Sequence, residues 1–122
     1  MRVCITSQGD NVDSDVDPRF GRCQYFIFMD TESDDFQAVK NPNMDSMGGA
    51  GIQSGQVIAE ENVKVVLTGN VGPNAFKTLS VAGVEVIIGV SGKVSEAIEK
   101  YKKGELKSTD GPSVDSHFGT GK

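Results

Sequence analysis

Residues 64–103, KVVLTGNVGPNAFKTLSVAGVEVIIGVSGKVSEAIEKYKK, carry the pattern that decides the fold. Short apolar runs at 64–69 and 84–90 predict two strands. The segment 72–82 predicts a helix, because a proline stands in its first turn and a glycine follows its end. The segment 93–103 predicts another, because its apolar residues recur at i, i+3, i+4 and i+7. Strands that alternate with helices are typical of parallel sheets with right-handed crossovers.

The first half of the chain adds an antiparallel part. Residues 2–7 and the five apolar residues at 25–29 predict two buried strands, and 36–39 predicts a weaker strand at an edge. Four acidic residues within 30–35 indicate a hairpin connection. Residues 48–62 predict the first helix. That helix would carry a face of small and apolar residues: Gly51, Gly55, Ile58 and Ala59. The order β-β-β-α-β-α-β-α predicts an α/β fold, a three-layer α/β/α sandwich around a mixed five-stranded sheet.

Composition bounds the class of protein. The chain has 122 residues, 37% hydrophobic and 24% charged, which suits one globular domain. Seventeen acidic against twelve basic residues give a net charge of -5, which argues against a nucleic-acid binder. No apolar run is long enough to span a bilayer, and the polar N-terminus is unlike a signal peptide. We therefore expect a cytoplasmic protein, with a domain over 1–104 and a polar, mobile tail over 105–122.

The predicted ligand end lies beyond the carboxyl ends of the parallel strands. The loops 8–21, 69–73 and 89–92 should meet there, and three helices should begin there. Helix N-termini carry unpaired N–H groups and partial positive charge, and Arg19 and Arg22 lie in the first loop. A small anion is the natural ligand of such a site. The candidate backbone-amide donors are Gly48, Gly49, Gly51, Gly69 and Gly72. The same glycines could also serve only to form turns.

Two cysteines and one histidine are the candidate metal ligands. Cys23 directly follows Arg22, and a neighbouring arginine would lower the thiol pKa and favour the thiolate, a soft ligand suited to iron–sulfur chemistry. Cys4 lies inside the first predicted strand. Both cysteines could instead be small buried hydrophobes. His117 stands in the polar tail, as a ligand or as a solvated side chain.

The remaining chemical signals argue against an enzyme. Asp13-x-Asp15-x-Asp17 begins like a calcium-binding EF-hand loop, but Pro18 replaces the required glycine and Gln24 replaces the bidentate glutamate. A two-metal nuclease needs carboxylates that converge from several elements, whereas these acids crowd into one loop. A single tail histidine is a poor catalytic base. These signals therefore favour a binding protein over an enzyme.

Four sequence motifs resemble those of a known family, the dinitrogenase iron–molybdenum cofactor biosynthesis family. This family includes NifX, the core of NafY and the C-terminal domain of NifB. The resemblance covers residues 1–104 and indicates a small stand-alone member. Four motifs carry it: Asp17-Pro18-Arg19-Phe20-Gly21-Arg22 followed by Tyr25-Phe26, the glycine-rich loop 41–55, Val66-Leu67-Thr68-Gly69 with Gly72-Pro73-Asn74-Ala75, and Gly83-Val84-Glu85-Val86.

The resemblance implies both a fold and a cargo. The fold is a sandwich of ribonuclease H-like topology with a mixed five-stranded sheet. The cargo is a metal–sulfur cluster or its precursor, because characterised relatives carry iron–molybdenum cofactor, iron–sulfur precursors or molybdenum–copper sulfide clusters. Through their motif positions, Gly21 and Asn41 join the cofactor-binding candidates. Such clusters are anionic, which agrees with the site inferred from the residues.

The functional hypothesis is a non-enzymatic carrier or storage protein for an iron–sulfur or molybdenum-containing metal–sulfur cluster. Its partners would be cluster donor and acceptor proteins, with no nucleic acid and no membrane, and a monomer is plausible. The alternative is a protein-interaction or regulatory module of the same fold that binds no cluster.

Overall fold

The computed structural model describes residues 1–42 and 50–108. Their elements agree in type and order with those predicted. Within the described residues, no helix is long and apolar enough to cross a membrane. The elements are β1 (Arg2–Ser7), β2 (Tyr25–Asp30), β3 (Phe36–Lys40), α1 (Ala50–Glu60), β4 (Val65–Leu67), α2 (Pro73–Val81), β5 (Glu85–Ile87) and α3 (Val94–Lys102).

The five strands form one mixed sheet in the order β3-β2-β1-β4-β5. β2 pairs antiparallel with both β1 and β3, while β1 pairs parallel with β4 and β4 parallel with β5. The predicted mixed sheet is therefore confirmed, and its order is compatible with the ribonuclease H-like topology that the resemblance implies.

Two apolar layers cover the two faces of the sheet. One contains Cys4 of β1 together with residues of α1 and α2 such as Ile58 and Leu79. The other contains Val3 and Ile5 of β1 with residues of α3. Successive strand residues point to opposite faces, so a strand covered on both sides is apolar throughout. This confirms the three-layer sandwich and explains the unbroken apolar runs in β1 and β2.

The last two strands are shorter than the predicted segments 64–69 and 84–90. Beyond β4 the chain turns away, and the backbone of Asn70 bonds to Pro18 in the loop between β1 and β2. Beyond β5, Gly89 adopts a φ of +74°, which a strand does not contain. A contact with a distant loop thus sets the end of β4, and the backbone conformation of Gly89 sets the end of β5.

Glycines let α1 and α2 pack closely. A Cβ on Gly51 would lie 3.1 Å from the Cβ of Ala75, and one on Gly55 would lie 2.8 Å from Cγ2 of Thr78. The predicted small-residue face is confirmed at these two positions. It is wrong at Ala59, which is exposed, because eight residues of helix carry it about 80° around the axis from Gly51.

Candidate functional site

The β1–β2 loop (residues 8–24) runs across the carboxyl end of the sheet. The N–H of Val16 donates to the carbonyl oxygen of Gly92 at 2.8 Å, and the N–H of Val94 donates to that of Ser14 at 2.9 Å. The first turn of α3 is therefore bonded to this loop. The expectation that all three helix N-termini are open to a ligand is wrong for α3, because the loop already uses its amides.

The same loop packs against the turn between β4 and α2. The N–H of Asn70 donates to the carbonyl oxygen of Pro18 at 2.8 Å, and the N–H of Phe20 donates to that of Asn70 at 3.3 Å. A Cβ on Gly69 would lie only 2.6 Å from Cα of Pro18, so a glycine is needed for this approach. The contact pairs Arg19 with Asn70, two residues before α2 is capped.

Asp17 holds Arg19 in place. Its Oδ1 accepts hydrogen bonds from the backbone N–H of Arg19 at 3.0 Å and from its Nε at 3.2 Å. Its Oδ2 accepts from Nη2 of Arg19 at 3.3 Å and from the N–H of Gln24 at 3.2 Å. The Asp17 side chain is fully buried, whereas that of Arg19 is 59% exposed. The hydrogen bond to Asp17 raises the pKa of Arg19, so its charge is permanent.

Sequence reasoning missed this role of Asp17, which it grouped with the other acids of the loop. The Asp-x-Arg spacing was the available signal, since a carboxylate two residues before an arginine can accept from both its backbone and its side chain. Two buried threonines were also missed. The hydroxyl of Thr6 donates to the carbonyl oxygen of Asp17 at 2.7 Å and shares a 2.8 Å hydrogen bond with the hydroxyl of Thr68.

The N-terminus of α2 lies beside this loop. Gly72 is its N-cap and has no side chain to cap the helix, and Pro73 occupies the first turn. The N–H of Phe76 donates to the carbonyl oxygen of Gly72 at 2.9 Å, as the first bond of the helix. The amides before Phe76 have no partner within the helix. Together with the guanidinium of Arg19 they can bind an anion.

The two cysteines are buried. Burial, and then the negative charge of Asp17, raise the pKa of Cys23; Arg19 acts in the opposite direction but more weakly. Burial and the neighbouring Cys23 raise the pKa of Cys4. The expectation that a neighbouring arginine would lower the pKa of Cys23 is therefore wrong, because loss of hydration outweighs the arginine.

Asn41 and Ser54 fix the end of the loop. Nδ2 of Asn41 donates to the carbonyl oxygens of Gly21 at 3.1 Å and of Cys23 at 2.9 Å. The hydroxyl of Ser54 on α1 also donates to the carbonyl oxygen of Gly21, at 3.1 Å. Asn41 is 3% exposed, so its amide serves the loop. Any contact that Asn41 or Gly21 makes with a cofactor remains a prediction.

The predicted site residues separate into three groups. Within the described residues, no group of three His, Cys, Asp or Glu side chains could hold a metal ion. Gly51 lies in α1, where it faces Ala75 of α2, and Cys4 lies in β1 within an apolar layer. Gly48, Gly49 and His117 lie outside the described residues. The loop and turns at the carboxyl end of the sheet contain the others: Arg19, Gly21, Arg22, Cys23, Asn41, Gly69 and Gly72.

Fold and site define a small α/β domain whose arginine-bearing loop covers the carboxyl ends of its parallel strands. Residues 1–104 match the family model described as dinitrogenase iron-molybdenum cofactor, and the chain belongs to this family. The resemblance found in the sequence is thereby confirmed. Membership associates the chain with iron–molybdenum cofactor biosynthesis and favours a cofactor-binding or carrier role.

Solved structures of similar proteins support the assignment. The apo form of the orange protein from Desulfovibrio gigas is 36% identical, with a TM-score of 0.89 over 92% of this chain and 95% of that one. A Thermotoga protein provisionally named NifB is 40% identical, with a TM-score of 0.77 over 88% of this chain and 91% of that one. A relative found by sequence comparison, an uncharacterized protein of Methanocaldococcus jannaschii, is 27% identical over 93 residues, which are 74% of this chain and 79% of that protein.

Proposed function

We propose that the protein is a non-enzymatic carrier or storage protein for an anionic metal–sulfur cluster, either iron–sulfur or iron/molybdenum–sulfur, or for its precursor. The cluster is cargo that the protein receives from a donor protein and delivers to an acceptor protein. Family membership supports the association with iron–molybdenum cofactor. Similarity to the apo form of the orange protein over almost the whole chain supports a ligand-binding role.

The observation that carries the proposal is the placement of Arg19. Its side chain is 59% exposed and is held by a buried carboxylate, and its backbone pairs with Asn70 just before α2. The N-terminus of α2, which has no side-chain cap, adds backbone amides without partners in their own helix and partial positive charge. Arg22 contributes a second cation from the same loop. This local arrangement suits an anion although the chain as a whole is acidic.

The buried thiols favour anion recognition over direct coordination by cysteine. A metal ligand must be a thiolate, which a lowered pKa favours. The pKa of Cys23 is raised instead, and its side chain is inaccessible. The cluster would therefore contact the protein through its sulfide shell, with guanidinium and backbone N–H groups as donors.

Replacement of both arginines tests this proposal. We expect Arg19→Ala combined with Arg22→Ala to weaken binding of tetrathiomolybdate, a coloured metal–sulfur anion, by about tenfold or more, because each arginine supplies a charge-assisted hydrogen bond. Cys23→Ala should retain most of the bound anion. The measurement is a titration followed by visible absorbance at fixed ionic strength.

A matched control removes two positive charges elsewhere. Lys77 on α2 and Lys100 on α3 are exposed, so Lys77→Ala with Lys100→Ala should change binding by less than the arginine pair. If the lysine pair and the arginine pair lost the same affinity, the effect would come from net charge and not from a specific site. Loss of binding on Cys23→Ala alone would move the site to the thiol. Wild-type protein that is colourless when purified anaerobically from its native host, and that also fails to bind the anion, would contradict the proposal.

A further inference from the structure

Asp17 is the feature of the site that anion binding does not explain. A carboxylate close to an anion site lowers the local positive potential and should weaken binding. Yet Asp17 lies directly against Arg19, the cation that carries the proposed function. Its position calls for a role whose benefit exceeds this electrostatic cost.

The hydrogen bonds give Asp17 the geometry of a clamp. Each carboxylate oxygen accepts one side-chain N–H of Arg19 and one backbone N–H: Oδ1 from Arg19 itself and Oδ2 from Gln24. A guanidinium carries five N–H groups, and this contact uses one from Nε and one from Nη2. The other three N–H groups, two on Nη1 and one on Nη2, take no part in this contact, and the side chain is 59% exposed.

The clamp is itself rigidly held. The N–H of Asp17 donates to the carbonyl oxygen of Thr6 in β1 at 2.9 Å. The carbonyl oxygen of Asp17 accepts from the Thr6 hydroxyl at 2.7 Å, and that hydroxyl is bonded at 2.8 Å to Thr68 at the end of β4. All three side chains are fully buried. Two neighbouring strands thus fix the carboxylate that holds Arg19.

We infer that Asp17 is a positioning residue, which fixes the Arg19 guanidinium so that its remaining N–H edge receives the anionic cargo. The inference rests on the proposed function, in which the cargo is an anion. A long side chain that is ordered before binding loses less conformational entropy on binding. Asp17 therefore raises affinity through order while its charge opposes the ligand.

The two effects of Asp17 predict opposite results for Asp17→Asn. The variant keeps the size of the side chain and removes its charge. Electrostatics alone predicts tighter binding of tetrathiomolybdate, whereas positioning predicts binding weaker by about three- to tenfold, the range expected for one arginine side chain that must be ordered on binding. Asp15→Asn is the matched control, because Asp15 is an exposed acid of the same loop. It should leave binding unchanged or slightly tighter.

A double-mutant cycle with Arg19→Ala separates positioning from general structural damage. If Asp17 acts through Arg19, Asp17→Asn should change binding by less than twofold in the Arg19→Ala background. Urea unfolding of each variant measures stability independently. A variant that is less stable yet shows the same loss of affinity in both backgrounds would overturn the inference, and so would Asp17→Asn that binds as tightly as Asp15→Asn.

Arg19→Lys covers the case in which Asp17→Asn does not fold. Lysine keeps the charge but cannot form the two-pronged contact with a carboxylate. We expect its affinity to fall most of the way to that of Arg19→Ala, and wild-type affinity would overturn the inference. Failure of the wild-type protein to bind tetrathiomolybdate is a different result, since it contradicts the proposed function itself.

Discussion

At the scale of single residues, burial decides the chemistry of the thiols. Cys23 follows Arg22 in the sequence, which suggests a thiolate, but its side chain is buried in the apolar layer that contains Cys4. The raised pKa of Cys23 follows from lost hydration first and from the Asp17 carboxylate second. The prediction from the sequence neighbours of Cys23 was therefore wrong, because the burial of a side chain depends on how the loop folds against the sheet.

The raised thiol pKa values predict how stability depends on pH. In the unfolded chain a cysteine ionises near its ordinary pKa of 9.0, whereas folded Cys23 and Cys4 stay protonated well above it. Above pH 9 the unfolded state thus binds fewer protons than the folded state. The free energy of unfolding should fall with rising pH, by about 1.4 kcal/mol per pH unit for each thiol. The slope develops around pH 9, where the unfolded thiols are half ionised, and it is close to zero well below that pH.

Urea unfolding between pH 8 and 10.5 measures this slope in the wild type and in Cys23→Ala. The variant should lose about one thiol's share of the slope, whatever its absolute stability. Tyr101, whose pKa is also raised by burial, is present in both proteins and cancels in the comparison. Identical slopes would mean that Cys23 ionises equally in both states.

At the scale of elements, the contact between the β1–β2 loop and the β4–α2 turn shapes the site. Gly69→Ala tests it, because the added Cβ would meet Cα of Pro18 at 2.6 Å, and backbone cannot rotate aside. We expect a loss of about 1–3 kcal/mol in the free energy of unfolding, the usual cost of overpacking. We also expect weaker tetrathiomolybdate binding, since the shifted loop carries Arg19. Urea unfolding and the absorbance titration check the two effects.

Gly9→Ala is the control within the same loop. Its new Cβ would meet the side chain of Ser14, which can turn away at little cost. It should change stability and binding much less than Gly69→Ala does. Equal effects of the two substitutions would show that the loop tolerates neither change for general reasons, and that the Pro18 contact has no special role.

Local sequence signals predicted most helices and strands, whereas contacts between distant residues determine the features that these signals missed. Pro73 and Gly83 mark the ends of α2, and the apolar period marks α3, so both helices were predicted within a residue or two. The shorter β4, by contrast, depends on where the β1–β2 loop crosses, because Asn70 bonds to Pro18 of that loop. The same holds for the site: arginine type and loop position pointed to Arg19, but the buried partner that orients it becomes visible only in three dimensions.

At the scale of the whole molecule, the C-terminal segment 109–122 lies outside the described residues, and its part in binding is a matter for experiment. The described chain ends at Ser108, whose side chain bonds to Glu85 on β5. We expect removal of residues 109–122 to leave tetrathiomolybdate affinity within twofold of wild type, because the anion-binding groups named above belong to residues 8–24 and to the start of α2. The absorbance titration of the truncated protein is the measurement.

The truncation also tests His117 as a metal ligand. If binding falls sharply on truncation, His117→Ala in the full chain identifies whether that side chain is responsible. If the affinity for tetrathiomolybdate is unchanged in both proteins, His117 is not a ligand of the bound anion.

The β1–β2 loop joins recognition and architecture in one stretch of chain. Its backbone bonds to the start of α3 and to the β4–α2 turn, and the same residues present Arg19 and bury Asp17. Mutations within this loop that change the cargo are therefore expected to change the stability of the fold as well. We therefore expect that a change of specificity in this fold follows stabilising substitutions elsewhere. Positions at the periphery of the sheet, away from the loop, can accept such substitutions.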